Sequence, residues 1–439
     1  MRDIFVLAII FGSVPLCFIN PYFGILMWNW VAIFNPHRFT YGFAYNFPVA
    51  YVIALPTMAG MFVTRKINRN ILTRETTLLI LLWIWFAVTI FYASTVPFFS
   101  EHIAPGMTQL VRVSKVLLVI FLTILLVTSR DRLRNLFLVL ALSIGVLAIK
   151  GALFGARTGG ESRVWGPPES FLADNNDLAL ATNMALPILF FLAAEEKRRW
   201  LKILLRIAFV CGIFSVLLSY SRGGLLGLVI VLSAVAAMSR HKVLMAAFVV
   251  ICALLVFSYA PGQWMDRMTG LYHGNIDRSA EGRLNAWQFA IVLTSHYPIT
   301  GGGFETFTPD LFQRYTPDLF FAGPHSIYFQ TLGEQGYVGL ALFLGLLGSC
   351  WFSLWRLSKQ AALVPSLRWV GPYAYMLRAS LLAYMVSGAF LPRAYFDFFY
   401  TLVATIIVMK LLCQRELAQL ASVKATEVAP MNLIEAPAP

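Results

Sequence analysis

Eleven stretches of about 20 predominantly apolar residues recur along this chain, and a run of that length is what a helix needs to cross the hydrocarbon core of a bilayer. Inside lipid every backbone N–H and C=O must find a partner within the protein, so such runs fold as helices. They lie at 46–64, 77–97, 108–128, 132–153, 172–193, 201–219, 223–238, 242–260, 335–357, 369–390 and 393–412. A further apolar stretch, 4–35, is interrupted at Asn20-Pro21 and reads as one broken or re-entrant span, for a total of twelve. The expected fold class is therefore an all-α integral membrane protein with about 12 transmembrane helices. Composition agrees: 13% of the residues are charged, against roughly 25% in soluble chains. A water-soluble enzyme is excluded.

The net charge of +13 would suggest a nucleic-acid partner in a soluble protein. Here the basic residues sit in short clusters between apolar runs, which is the pattern that orients a membrane protein, and no nucleic-acid partner is expected. The clusters are Arg65, Lys66, Arg69 and Arg74; Arg130, Arg132 and Arg134; Lys197, Arg198, Arg199 and Lys202; Arg240 and Lys242; and Arg356, Lys359 and Arg368. Placed in the cytoplasm they alternate with twelve spans, which puts both termini there and the long loop 261–334 outside. That loop carries four arginines against seven carboxylates, a net −3. No cleavage site precedes the first apolar stretch, so Met1 onward is expected to be retained. The tail from about 413 is expected to be disordered.

Within the loop, 281–295 has helical spacing with Leu284, Trp287, Ala290 and Ile291 on one face. An amphipathic helix is expected there, lying on the membrane surface or capping a cavity. Gly301-Gly302-Gly303 and Pro324 break the chain, and a second short helix should begin near Ser326 and run into the tenth span. The five cysteines fall in apolar runs without paired spacing, so neither a disulfide nor a zinc site is expected.

Three points carry chemistry. Arg222, in Ser219-Tyr220-Ser221-Arg222-Gly223-Gly224, occupies a very short turn, where a guanidinium can hold a phosphate by two hydrogen bonds or simply snorkel to lipid headgroups. Arg283 stands four residues before Trp287, a spacing that also suits a stacked surface pair. His325 follows Gly323-Pro324 at a helix start, where it can be a general base or a hydrogen-bonded structural residue. Asp174 opens the sixth span and suits a helix cap, Arg163 lies in the loop before it, and Arg112 and Lys115 lie inside the fourth span, where charge is expensive. Tyr328 and Gln330 follow His325 as further substrate-binding candidates. With no DxD, no HExxH and no close His/Asp cluster, neither a metal nor another cofactor is expected.

Taken together, SYSRGG, EGRLNAWQFAIVLTSHYPITGGGFETF and PHSIYFQTLGEQGYVGL resemble the O-antigen ligase family, which shares its domain with O-antigen polymerases and bacterial protein O-oligosaccharyltransferases. The motifs cover roughly 160–350: Ser219/Ser221-Arg222, Arg283 before Trp287, Pro298 with Gly301 and Gly303, and His325-Ser326-Ile327-Tyr328-Phe329-Gln330 with Gly336 and Gly339. Ser326 departs from the asparagine common in the family. The N-terminal half, beginning MRDIFVLAII, is also similar to a subgroup described as O-glycosylation ligases.

The resemblance implies a GT-C-type membrane glycosyltransferase in the bacterial inner membrane with its site facing the periplasm. Such an enzyme moves a preassembled glycan from undecaprenyl diphosphate to a hydroxyl of the lipid A-core oligosaccharide. The implied reaction, a step of lipopolysaccharide biosynthesis, is metal-independent and inverting, with His325, Arg222 and Arg283 catalytic. It implies an organisation into N-terminal helices 1–160, a ligase/polymerase core 161–350, C-terminal helices 351–412 and a cytoplasmic tail 413–439. A protein O-oligosaccharyltransferase or an O-antigen polymerase would use the same donor. A twelve-span transporter or a passive scaffold would also explain the hydrophobicity.

Overall fold

A computed structural model describes residues 1–64, 66–238 and 278–428. The expected ninth span 242–260, Arg240 with Lys242, the first part of the long loop and residues 429–439 lie outside the described residues. Among those described, every regular element is helical. The α-helices are α1 (Arg2–Ile19), α2 (Pro21–Phe34), α3 (Val49–Met61), α4 (Arg74–Ala93), α5 (Ile103–Leu126), α6 (Arg130–Arg157), α7 (Asn175–Glu195), α8 (Arg199–Leu217) and α9 (Arg222–Met238). After the undescribed stretch come α10 (Arg278–His296), α11 (Pro309–Tyr315), α12 (Ile327–Leu363), α13 (Val370–Ser387) and α14 (Asp397–Val428). Side chains cap several starts: Thr73, Ser129, Asp174, Thr308 and Ser326 each accept a first-turn N–H.

Among the described residues eight helices are long and apolar enough to cross a membrane: α1, α4, α5, α6, α7, α8, α12 and α14. The chain is a multi-pass membrane protein. Of the other expected spans, α3 and α9 have 13 and 17 residues, and α13 is a helix of the protein core that is not among the eight. The expected disordered tail is helical as far as Val428, because α14 continues past residue 412.

The core is built around α7, which packs against α6, α8, α9 and α13 and is buried along most of its length. Its small residues Ala179, Ala181 and Ala185 let neighbouring backbones come close, the usual basis of helix packing where lipid offers no hydrophobic drive. A second cluster joins α1, α2 and α3 to Leu122 and Leu126 of α5. A third joins α10 and α11 to Ala93 and Phe99.

Contacts define two ends. At one, Arg134 pairs with Glu196, Asn68 donates to the Ile124 and Val127 carbonyls, and Trp369 reaches Glu416 at 3.4 Å. The described basic clusters gather there. At the other, Arg38 pairs with Glu169 at 2.7 Å, Val164 N–H donates to Leu218 O at 3.0 Å, and Thr308 meets His102 at 3.1 Å.

The break at Asn20-Pro21 forms, but it reverses the chain rather than bending one span. Asp3 accepts from the Gly42 and Ala44 N–H groups in the loop that leads into α3, at 3.0 and 3.1 Å, and the Phe18 carbonyl lies against Gly60 near the finish of α3. Helices α1 and α2 therefore form an antiparallel pair. Met1 sits at the end away from the basic clusters and Val428 at the end that holds them. The reason is local: proline at the first position of α2 removes a donor that α1 would need to continue, and Asn20 leaves helical geometry.

Candidate active site

Arg222 is the first residue of α9, and the turn before it is fixed atom by atom. Tyr220 takes a left-handed backbone with φ 60°, and Ser221 Oγ accepts the Gly224 N–H at 3.0 Å. Asn175 Nδ2 donates to the Ser219 carbonyl at 2.6 Å, tying the turn to the start of α7. A Cβ on Gly224 would stand 2.8 Å from that of Ala179, so only glycine lets α9 approach α7 this closely. Arg222 thus lies at the positive end of a helix dipole, where an anion is favoured.

Facing it, α10 presents Ala280, Arg283, Leu284 and Trp287, and with Phe390 these residues close a cavity of about 270 Å³. The expected helix is therefore present and caps a cavity, which Leu284 and Trp287 of the expected apolar face line. Leu284 and Ile291 are 54% and 50% exposed, whereas Ala286, Phe289, Ala290 and Leu293 are buried against α11 and α12. Trp287 stacks on Phe329 in the first turn of α12, with ring centroids 4.9 Å apart and planes at 12°, which ties the arginine-bearing helix to the segment that carries His325.

His325 precedes the N-cap Ser326 and holds φ 41°, an uncommon conformation for a non-glycine residue and one found at functional sites. Burial pushes its pKa below the ordinary 6.5, and the Arg283 charge pushes the same way while Asp174 opposes. The ring is neutral at neutral pH and can accept a proton. The dependence on Arg283 and Asp174 places three of the candidates in one electrostatic neighbourhood.

Asp174 is the N-cap of α7, its Oδ1 accepting from the Asn176 backbone and side chain at 2.8 Å each. Tyr328 donates to the Met385 carbonyl at 2.9 Å, and Gln330 Oε1 accepts the Ala394 N–H at 3.1 Å. The first moors the start of α12 to the last turn of α13, the second to the segment after it.

Backbone contact sets the position of the start of α12. Gly302 and Gly303 N–H donate to the Gly333 and Glu334 carbonyls at 2.9 Å, and Tyr337 N–H donates to Pro298 O at 2.9 Å. The helix kinks at Gly336, φ 67°, where a Cβ would come within 2.2 Å of the Ile299 carbonyl. The glycine-rich segment and the Gly336 bend are thus one joint between two backbones, and Trp85 of α4 braces it by donating to Gln335 O at 2.9 Å.

Sequence reasoning did not single out Arg393, which forms a two-pronged pair with Asp177, nor Tyr395, which donates to buried Glu334 at 2.6 Å. Arg393 also lies in the field of Asp174.

Other candidates line different cavities. Arg163 stands 5.9 Å over the Tyr220 ring and lines a cavity of about 200 Å³ with Lys150 and Trp165. Arg112 and Lys115 line a third, of about 710 Å³. Among the described residues no group of three or more His, Cys, Asp or Glu is placed to hold a metal ion.

Residues 207–344, from α8 to the part of α12 just past the Gly336 bend, match the family model described as O-antigen ligase. That segment of the chain is thus similar to the O-antigen ligase family. Arg222, Arg283, His325 and the glycine joint all fall inside the matched domain. Residues 1–197 match a family of unknown function, which places α1 to α7 outside the ligase match. A comparison with curated proteins found no match.

Proposed function

We propose that this protein is an O-antigen ligase, transferring a preassembled glycan from undecaprenyl diphosphate to a hydroxyl of the lipid A-core oligosaccharide on the periplasmic side of the inner membrane. The observation that carries the reading is the convergence of Arg222 and Arg283, from separate segments, on one cavity beside a neutral histidine. In the proposed step the acceptor oxygen bonds to the anomeric carbon as the bond from that carbon to the diphosphate oxygen breaks. The diphosphate leaves with the electron pair, and its growing charge is met by the two guanidiniums and the α9 dipole in a partly dehydrated site. His325 takes the acceptor proton, a contribution typically worth about 10²–10⁴-fold. Charge is met by arginines in this reading, so transfer should continue in chelator. Attack from the face opposite the diphosphate would invert the anomeric carbon.

The experiment is the glycan profile of a strain lacking this chain. A ligase predicts that polymer attachment to lipid A is lost while polymer accumulates on its carrier. Loss of long chains altogether would instead mean a polymerase, and loss of glycoprotein bands a protein O-oligosaccharyltransferase.

A further inference from the structure

The cavity of about 710 Å³ between α2, α3 and α5 lies outside the ligase-family match and differs in kind from the one at Arg222. Its walls include Ala54, Leu55, Met58 and Val119. Leu55 is 65% exposed and Tyr51 52%, so its rim is continuous with the apolar outer surface of helices that face lipid. Its volume falls within the roughly 300–1,000 Å³ usual for small-ligand sites.

One end of it is cationic. Arg112 and Lys115 stand one turn apart on α5, and neither takes part in an ion pair among the described residues. Lys115 Nζ donates to the Tyr51 hydroxyl at 2.7 Å. Asp397 is the only carboxylate among the lining residues, set against Arg38, Arg112 and Lys115. Arg38 is matched by Glu169 at 2.7 Å, and His37, pushed down to about 4 by burial and by Arg38, is uncharged at neutral pH. A surplus of positive charge remains beside an apolar slot. Arg112 and Lys115 are both exposed on a helix long and apolar enough to cross a membrane, where a cation is costly unless an anion or water meets it, and the shape calls for a molecule that is anionic at one end and apolar along the rest.

We propose that this cavity binds an acidic phospholipid from the bilayer, with its phosphate on Arg112 and Lys115 and an acyl chain along α3 and α5. The site is separate from the Arg222–Arg283 cavity and stands whether or not the ligase reading holds.

The test is native mass spectrometry of the detergent-purified full chain with phosphatidylglycerol or phosphatidylcholine added at equal concentration. The proposal expects phosphatidylglycerol to be retained preferentially, and R112Q/K115Q to weaken its retention at least tenfold. Ala50→Trp, at an exposed position of α3 that lines the cavity, should weaken retention without any change of charge. Lys115→Arg should keep most of it. If the double variant does not fold, Lys115→Gln alone at its exposed position should still cost several-fold. Equal retention of the two lipids, or unchanged retention in R112Q/K115Q or A50W, would overturn the proposal. So would displacement of the lipid by millimolar glycerol phosphate, which would mean that the site takes a free phosphate and has no use for the chain.

Discussion

Two pairs of cations face two cavities at the same end of this protein, and they are built differently. Arg222 and Arg283 face about 270 Å³ at the meeting of three chain segments. Arg112 and Lys115 face about 710 Å³ between helix faces. The smaller cavity is held by backbone-to-backbone hydrogen bonds at Gly302 and Gly303, a left-handed Tyr220 and a left-handed His325. The larger is walled mainly by side chains of α2, α3 and α5, with left-handed Asn35 (φ 51°) and the loop residues Asn46, Phe47 and Phe171 completing it. Proton and group transfer need reacting atoms fixed to fractions of an ångström, whereas holding a lipid chain needs only a slot of the right polarity. That contrast is the ground for proposing chemistry at the first cavity and retention at the second.

The comparison breaks most readily at His325. His325→Ala should slow transfer by at least 10²-fold in a purified assay with lipid-linked donor. Arg222→Lys keeps the charge but loses the planar fork, so it should also impair transfer substantially. Full activity in both Arg222→Ala and Arg283→Ala, at normal expression, would remove the chemical role from the smaller cavity.

Gly336→Ala should be next in effect. Its φ of 67° and the 2.2 Å approach to the Ile299 carbonyl mean that the joint must open, at a cost of about 1–3 kcal/mol for the backbone conformation before the clash is counted. A lowered melting temperature together with reduced transfer is expected, and an unchanged protein would show that the joint does not set the site.

A finer effect concerns pH. Because burial and Arg283 hold His325 below 6.5, transfer should be lost only as pH falls through that lowered value. Asp174 favours the charged ring, so Asp174→Asn should move the acid limb to still lower pH, and a shift upward would contradict the assignment. Smallest is Trp287→Leu, which loses the stack on Phe329 and should cost about 0.5–1.5 kcal/mol beyond lost area, read as a modest fall in thermal stability.

Much of this was legible before any coordinates. Apolar run length located α4 to α8 within a few residues, and the turn chemistry of Ser326 and Gly301-Gly302-Gly303 located the start of α12 and the break before it. The direction of α1 was not legible. A stretch broken at Asn20-Pro21 reads equally as a kink or a reversal, and the decision comes from Asp3 meeting the Gly42 and Ala44 N–H groups, contacts across 39 and 41 positions. Reporters fused before Met1 and after Val428 should accordingly lie on opposite sides of the membrane. Within the site, the charged candidates stood out because charge is rare in such a chain. Yet spacing could not divide them between cavities, since Arg112 and Arg222 look alike until the helices are packed. Arg393 escaped notice for the same reason, its partner Asp177 being 216 positions away.

The most direct test separates donor binding from transfer in the purified full-length protein with undecaprenyl-diphosphate-linked glycan and lipid A-core acceptor. The account predicts that His325→Ala still binds donor but transfers at least 10²-fold more slowly, while Arg222→Ala and Arg283→Ala lose donor binding itself. Near-native transfer by His325→Ala would contradict it and make the residue structural.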